Sequence, residues 1–586
     1  MRSVRVIVLF GSIGFAQFSI AAAQAPAWVA KSDKNARLLI DAEAKYSPEN
    51  AVARGVQGID EQISIPAADR PARFRADLRK VRQELETRAS AEKDPLVIQD
   101  IHILEDAIDK DIRSSEANEK TFLPYWNVDG YIFFGMRSLL DDQVPAARRP
   151  AALVRLKKYT GLAAGYSPTV ALAEKLFREK HENNPALLYP SKAEVEKDLE
   201  NTNTYVTGIG LLLEKYKIAG YQEAYARLKE QLAAYGQFVR SEILPRARAD
   251  FRLPPEIYAI ELDNYGVDYK PDELKRLAHQ SFTEIQRQMS QVAARVAKER
   301  GFPSSDYRDV IRALKKEQLT GDRILPHYQG RLTEIEQILR ANHLISLPDR
   351  PAIIHLASAA ETAQQPAPHM VPPPLLNNHG ERGQFVLPLE TTGERGAALK
   401  YDDFTFAAAS WTLTAHEARP GHELQFDSMV EHGVSLARAL FAFNSVNVEG
   451  WGLYAEWFML PYMPDDGQLV SLQLRLLRAA RAFLDPELQE GKVTPQQAME
   501  VLQNDVVCSK AFATEEVERF TFRMPGQAVS YFDGYIRLLA IRKSAEQALG
   551  AKFNQQRFHD FILSQGLLPP DLLRKAVTEE FVAQQK

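Results

Sequence analysis

The stretch His416-Glu417-Ala418-Arg419-Pro420-Gly421-His422 holds two imidazoles and a carboxylate within seven residues. Neutral imidazole nitrogens are zinc ligands, and a carboxylate beside them can accept a proton from water. A zinc-protease helix spaces its histidines four apart, so that both rings leave one face. Here the second histidine follows the first by six residues. On an unbroken helix, six steps of ~100° leave the rings ~120° apart, too far round to share an ion. Pro420, however, falls four residues after His416. It has no N–H for the His416 carbonyl, and its ring clashes there. The Pro420–Gly421 pair therefore predicts a bend or bulge that loops out two extra residues and swings His422 back toward His416. The spacing alone is also compatible with two unrelated histidines near a helix end.

A second segment, VNVEGWGLYAEWFML (446–460), carries Glu449 27 residues after His422 and Glu456 seven residues further on. Seven residues bring the two acids to nearly one helix face. Amid Trp451, Tyr454, Trp457 and Phe458, such acids call for a partner, because unpaired buried charge is costly. Glu449 is the candidate third ligand, since a carboxylate on a helix downstream of the histidines completes a glutamate-type zinc site; a solvated acidic stripe is the alternative. A third segment, RMPGQAVSYFDGY (523–535), repeats a Pro-Gly break and sets Gln527 and Tyr531 four apart. The Tyr531 phenol could donate to an oxyanion, or pack in a core with its hydroxyl satisfied.

The elements that must position these groups read as helices. ADLRKVRQELETRA (76–89), IQDIHILEDAIDKDI (98–112) and the long PDELKRLAHQSFTEIQRQMSQVAARVAKERG (271–301) repeat apolar residues at three and four. FTFAAASWTLTAHEA, from Phe404, predicts the helix that delivers His416 and Glu417. AIIHLAS (352–358) and QFVLPLE (384–390) read as short strands flanking a proline-rich loop, and 384–390 is a candidate to bind an extended peptide by strand addition. The fold class expected is mainly α with a small β-sheet next to the metal-binding helix. A soft boundary near 250, where prolines interrupt the helical pattern, divides 24–250, an N-terminal helical region, from 251–586, which carries the candidate site.

With 72 basic and 77 acidic residues among 586 and no long block of one sign, a nucleic-acid footprint is not expected, and a peptide or small amide is the better default. The first residues place Arg2 and Arg5 before an apolar run, Val6–Ile20, and the small residues Ala21–Ala23. This is the pattern of a cleavable signal peptide, residues 1–23, cut after Ala23, and predicts a secreted or periplasmic protein without stable membrane association. Cys508 is the only cysteine, so an intramolecular disulfide is excluded and stability must come from packing. His432 and Glu431 read as helix-end surface residues before Gly433. His355, His369 and His379, in or beside the strands, could touch substrate. Arg475, Arg478 and Arg481, three apart, read with Asp485 as a salt-bridged helix face, or as a clamp for a substrate carboxylate.

HEARPGHELQ, EGWGLYAE and MPGQAVSYFDGY, with the upstream PPPLLNN and LPPEIYA, resemble the bacterial domain-of-unknown-function family numbered 885 over nearly the whole mature chain. That family is regarded as related to the mostly helical, gluzincin-like zinc peptidases. The resemblance implies a large helical metallopeptidase-like fold and one zinc ion held by His416, His422 and Glu449. It further implies Glu417 as catalytic carboxylate and, by looser analogy, Tyr531 as oxyanion donor. The expected function is a zinc-dependent hydrolase cleaving short peptides by Glu-assisted attack of water. A zinc hydrolase of another amide class and a noncatalytic metal-containing scaffold are the alternatives. A scaffold needs no general base and usually closes its metal with a fourth protein ligand.

Overall fold

The computed structural model describes residues 26–392 and 398–585. The signal peptide expected over residues 1–23 lies outside them. The chain is mainly helical, with a small three-stranded sheet. The segments expected as helices at 76–89 and 98–112 are the middles of Arg70–Ala91 and Pro95–Thr121. Pro95 begins the second of these, where a missing N–H costs nothing, and the Asp94 side chain accepts from Leu96 N. The long helix Pro271–Arg300 stops at Gly301, which has φ 68°, a left-handed end that glycine adopts without a Cβ penalty.

Apolar residues between Val52 and Ile243 form one core, joined by Ala360 and Ala363 from beyond the sheet's first strand. A second core, from Val267 to Phe532, packs the long helix along Asp465–Gln489, the arginine helix. Between these halves, residues 247–254 contain no helix. Contacts cross the junction: Ala437 closes the core of the Arg70–Thr121 hairpin, and Lys197 pairs with Glu518 at 2.9 Å.

Four further helices build the candidate site. The first histidine helix, Ala407–Glu417, is followed by the second, His422–His432. The glutamate helix is Ser445–Met459, capped by the Asn444 side chain on Asn447 N, and the tyrosine helix is Val529–Leu549. Leu413 of the first histidine helix belongs to the core of the long helix, whereas Ala415 packs with Trp451 and Tyr454. A helix sandwiched on both faces is apolar nearly all round, which accounts for AAASWTLTA.

In the sheet, Gln384–Leu387 lies in the middle, parallel to Ile353–Leu356 and antiparallel to His369–Val371. Met370 packs near Phe426 and Met429 of the second histidine helix. The strand expected to add a peptide, 384–390, is therefore the wrong one. Its ladder-forming part is paired on both sides and its side chains are buried; only the outer strands retain an edge.

Candidate metal centre

The six-residue spacing is resolved by breaking the helix. Glu417 ends the first histidine helix, Ala418 takes φ −100° and ψ −107°, the Arg419–Pro420 peptide is cis, and His422 begins the second helix. The expected bulge is thus a complete interruption. Gly421 takes φ −77° and ψ −132°, and it also supplies space: a Cβ there would lie 1.8 Å from the His416 carbonyl oxygen. Two residues not singled out from sequence hold the loop. Arg419 donates to Glu423 and Glu336, each at 2.7 Å, and Trp451 Nε1 donates to the Pro420 carbonyl at 3.0 Å. An arginine inside a motif buried among apolar helices was the available signal, since such a charge must find carboxylates.

As a result the His416 and His422 ring centroids are 4.6 Å apart. Glu449 Oε2 lies 3.6 Å from His416 Nε2 and 3.3 Å from His422 Nε2, and the three ligand atoms lie within 4.8 Å of one another. Ligands ~2.0–2.1 Å from a tetrahedral zinc are ~3.3 Å from each other, so the two nitrogen–oxygen separations fit that ion. Glu449 Oε2 is buried without a hydrogen-bond partner, the condition of an atom whose partner is a metal. Burial raises the Glu449 carboxyl, but the facing His416 and His422 outweigh it and hold it well below the usual range.

The glutamate helix reaches this point because it packs backbone to backbone. A Cβ on Gly450 would come within 2.7 Å of Gly534 Cα on the tyrosine helix, and one on Gly452 within 2.5 Å of the His416 ring. The solvated acidic stripe does not occur: Glu456 is buried. Its Oε1 lies 2.7 Å from His416 Nδ1 and its Oε2 accepts from Thr412 at 2.6 Å. Although burial opposes ionisation, Arg478 and His416 hold the Glu456 carboxyl at about 2. A carboxylate on the far nitrogen fixes the tautomer that leaves Nε2 free for a metal. Glu417 stands 4.0 Å from His416 Nε2. Burial pushes its carboxyl up to about 8, with His422 opposing and Glu449 adding.

Tyr531 is brought to the same place, its ring stacked 6.4 Å from that of His416. Its hydroxyl accepts from Arg519 Nη1 at 3.2 Å. Gln527 does not share a helix face with it, lying in the turn before the tyrosine helix, with its side-chain amide 3.4 Å from Glu449 Oε1. That turn is the second Pro-Gly break, with Gly526 at φ 89° and its N–H on Asp485.

Arg475, Arg478 and Arg481 are buried, and the expected salt-bridged face holds for Arg478 and Arg481 but not for Arg475 or Asp485. Asp485 pairs with none of them and accepts from Tyr258 and Gly526. Arg478 reaches Glu456 at 3.4 Å, Arg481 binds Glu516 through two 2.6 Å hydrogen bonds, and Arg475 lies over the Tyr535 ring. His432 and Glu431 are exposed at the helix end, with Glu431 paired to Arg350. His355 and His369 flank Val386 on opposite sides of the central strand. Burial lowers His369 to about 4. Exposed His379 belongs to the following loop.

A family profile described as "Bacterial protein of unknown function (DUF885)" matches residues 48–577. The chain belongs to that family. Two solved structures share the fold of this DUF885 protein. One, provisionally described as a lipoprotein of unknown function from Shewanella oneidensis, is 18% identical. The match covers 93% of this chain and 99% of that one, with a TM-score of 0.67. The other, provisionally described as a lipoprotein from Colwellia psychrerythraea, is also 18% identical. It covers 94% and 99% of the two chains, with a TM-score of 0.70. No curated protein matches the chain.

Proposed function

We propose that this protein is a zinc-dependent hydrolase of amide bonds whose substrates are short peptides, as in the gluzincin-like peptidases. The observation that carries the reading is the spacing of His416 Nε2, His422 Nε2 and Glu449 Oε2 beside a carboxylate, Glu417, that is not one of the three. Three protein ligands leave a tetrahedral ion one open position, the mark of a catalytic rather than a structural zinc. Zinc held there would supply a Lewis acid and lower the pKa of a coordinated water to about 7.

The chain's own residues account for the rest of the chemistry. Glu417, a carboxylate beside the three ligands and not one of them, is placed to accept a proton and return it to a leaving nitrogen. Tyr531 takes a hydrogen bond from Arg519 on its oxygen, which leaves its own proton for the negative charge developing on a carbonyl oxygen. Glu456 and Arg478 keep His416 in orientation. For an extended substrate, the outer strand Ile353–Leu356 borders a cavity of about 930 Å³ lined also by Phe133, Arg137, Leu211 and Glu361. A peptide adding to that edge would replace the role expected of 384–390. Hydrolysis of another class of amide would use the same residues.

The lipoprotein descriptions of the two neighbours support export, in line with the N-terminal sequence pattern. No described helix is long and apolar enough to cross a membrane.

The test combines metal content with turnover. Wild type and Glu417→Gln should each carry about one zinc per chain, His422→Ala and Glu449→Ala should carry none, and Glu417→Gln should lose turnover on a short-peptide panel by ~10²-fold or more. Undiminished turnover by Glu417→Gln, or a metal-replete wild type without zinc, would sink the reading.

A further inference from the structure

Among the buried arginines of the described residues, Arg475 alone donates no hydrogen bond. The residue is only 8% exposed, and its Nε and Nη2 are both buried without a hydrogen-bond partner. Its neighbours each have a carboxylate: Arg478 faces Glu456, with only its Nε left without a partner, Arg481 holds Glu516, and across from them Arg519 holds Glu515. What Arg475 has is the face of the Tyr535 ring, 5.5 Å from its guanidinium carbon. A ring face offsets part of the desolvation of a cation but satisfies none of its N–H donors. A buried guanidinium left in this condition is a standing cost to the fold.

Its position relates that cost to the metal set. Arg478, three residues on, is 3.4 Å from the Glu456 carboxylate that holds His416. Tyr535 stands one helical turn from Tyr531, which stacks on His416. Two helices thus deliver Arg475 and Tyr535 to a point about one turn, ~5 Å, beyond Arg478 and Tyr531. Arg478 and Tyr531 stand behind and beside His416 rather than at the metal position, and an extended peptide advances ~3.3 Å per residue, so this point corresponds to a few residues from a scissile bond at the metal.

We propose that Arg475 is the anchor for a carboxylate of the substrate, with Tyr535 as the ring against which its guanidinium is held. The proposal rests on the peptidase reading and names the substrate class that reading leaves open: peptides presenting an anionic group within a few residues of the cleaved bond. The planar fork of N–H donors matches a carboxylate bidentately, and the unused Nε and Nη2 form one edge of that fork. The carboxylate belongs to the substrate's C-terminus or to an acidic side chain.

The test measures binding rather than turnover. Zinc-loaded Glu417→Gln protein is titrated with trialanine, with trialanine amide, and with two amidated tripeptides that differ only as Asp or Asn. The expected result is that a carboxylate tightens binding on the order of 10-fold to 100-fold in at least one pair. Adding Arg475→Gln should abolish that preference without lowering the thermal midpoint, because Arg475 has no ion pair to lose among the described residues. The pair that shows the effect identifies which carboxylate is read. Equal binding within both pairs, or a preference that survives Arg475→Gln, overturns the proposal while leaving the peptidase reading intact. Failure to bind any of the four peptides removes both.

Discussion

Replacing Glu456 by glutamine tests the link between the buried polar network and the metal set. The glutamine has the same shape, but three groups converge on the carboxylate it replaces: Thr412 at 2.6 Å, His416 Nδ1 at 2.7 Å and Arg478 at 3.4 Å. Two of these interactions depend on negative charge. Removing an acceptor of this kind behind a metal-bound histidine typically costs ~10–100-fold in metal affinity, about 1.4–2.7 kcal/mol at 1.36 kcal/mol per decade. Folding should be affected on a comparable scale, because Arg478 keeps its hydrogen bond to the Leu474 carbonyl but loses its carboxylate. For truncation to alanine, which leaves a buried cation and a cavity, the loss should be larger, ~3–5 kcal/mol. Zinc affinity would be read by competition with a chelator of known strength, and stability by urea unfolding of the zinc-free protein. Glu456→Gln binding zinc as tightly as wild type would refute the orienting role of Glu456. A full loss of zinc with no change in stability would point instead to Glu456 as a direct ligand.

The remaining perturbations concern the helix break and one buried acid. Gly421→Ala places a methyl 1.8 Å from the His416 carbonyl oxygen, so the backbone must yield by ~1 Å or more, whereas a zinc site tolerates ~0.2 Å. Zinc affinity should fall by ~100-fold or more, and a variant that binds normally would show that the close approach is unimportant. Asp485, fully buried, is pushed up to about 7 by burial. Its folded pKa therefore exceeds its unfolded one, and its contribution falls as pH rises from about 4 to about 7, by up to ~4 kcal/mol. In Asp485→Asn that fall is absent. Urea unfolding of wild type and variant should show the variant gaining relative stability between pH 4.5 and pH 7.5, and a constant difference would contradict the assignment.

Much of the molecule was legible in the chain because it depends on local patterns. Apolar residues at three and four place the long helices, and Gly301 marks the end of one through a conformation that other residues resist. Pro420 forces a break after His416 wherever that segment lies. The candidate ligands His416, His422 and Glu449 were available from residue type and spacing together with the family resemblance. What composition and spacing left open was settled by contacts distant in sequence. Arg475, Arg478 and Arg481 have the spacing of a solvated helix face, yet they are buried because the arginine helix is enclosed by the long helix, the first histidine helix and the tyrosine helix. A periodic pattern of charges does not reveal which side of a helix other helices will cover. The central place of Gln384–Leu387 is equally non-local, since strand order depends on which segments return to pair with it. The sequence by itself determined the break between the two histidines, a matter of one missing N–H and one crowded carbonyl. Only the tertiary structure decided that Glu449 meets both rings, that Glu456 stands behind one of them, and that Arg475 is left without a hydrogen-bond partner among the described residues. Each of these depends on how closely two helices approach, and Gly450 against Gly534 sets that distance for the glutamate and tyrosine helices.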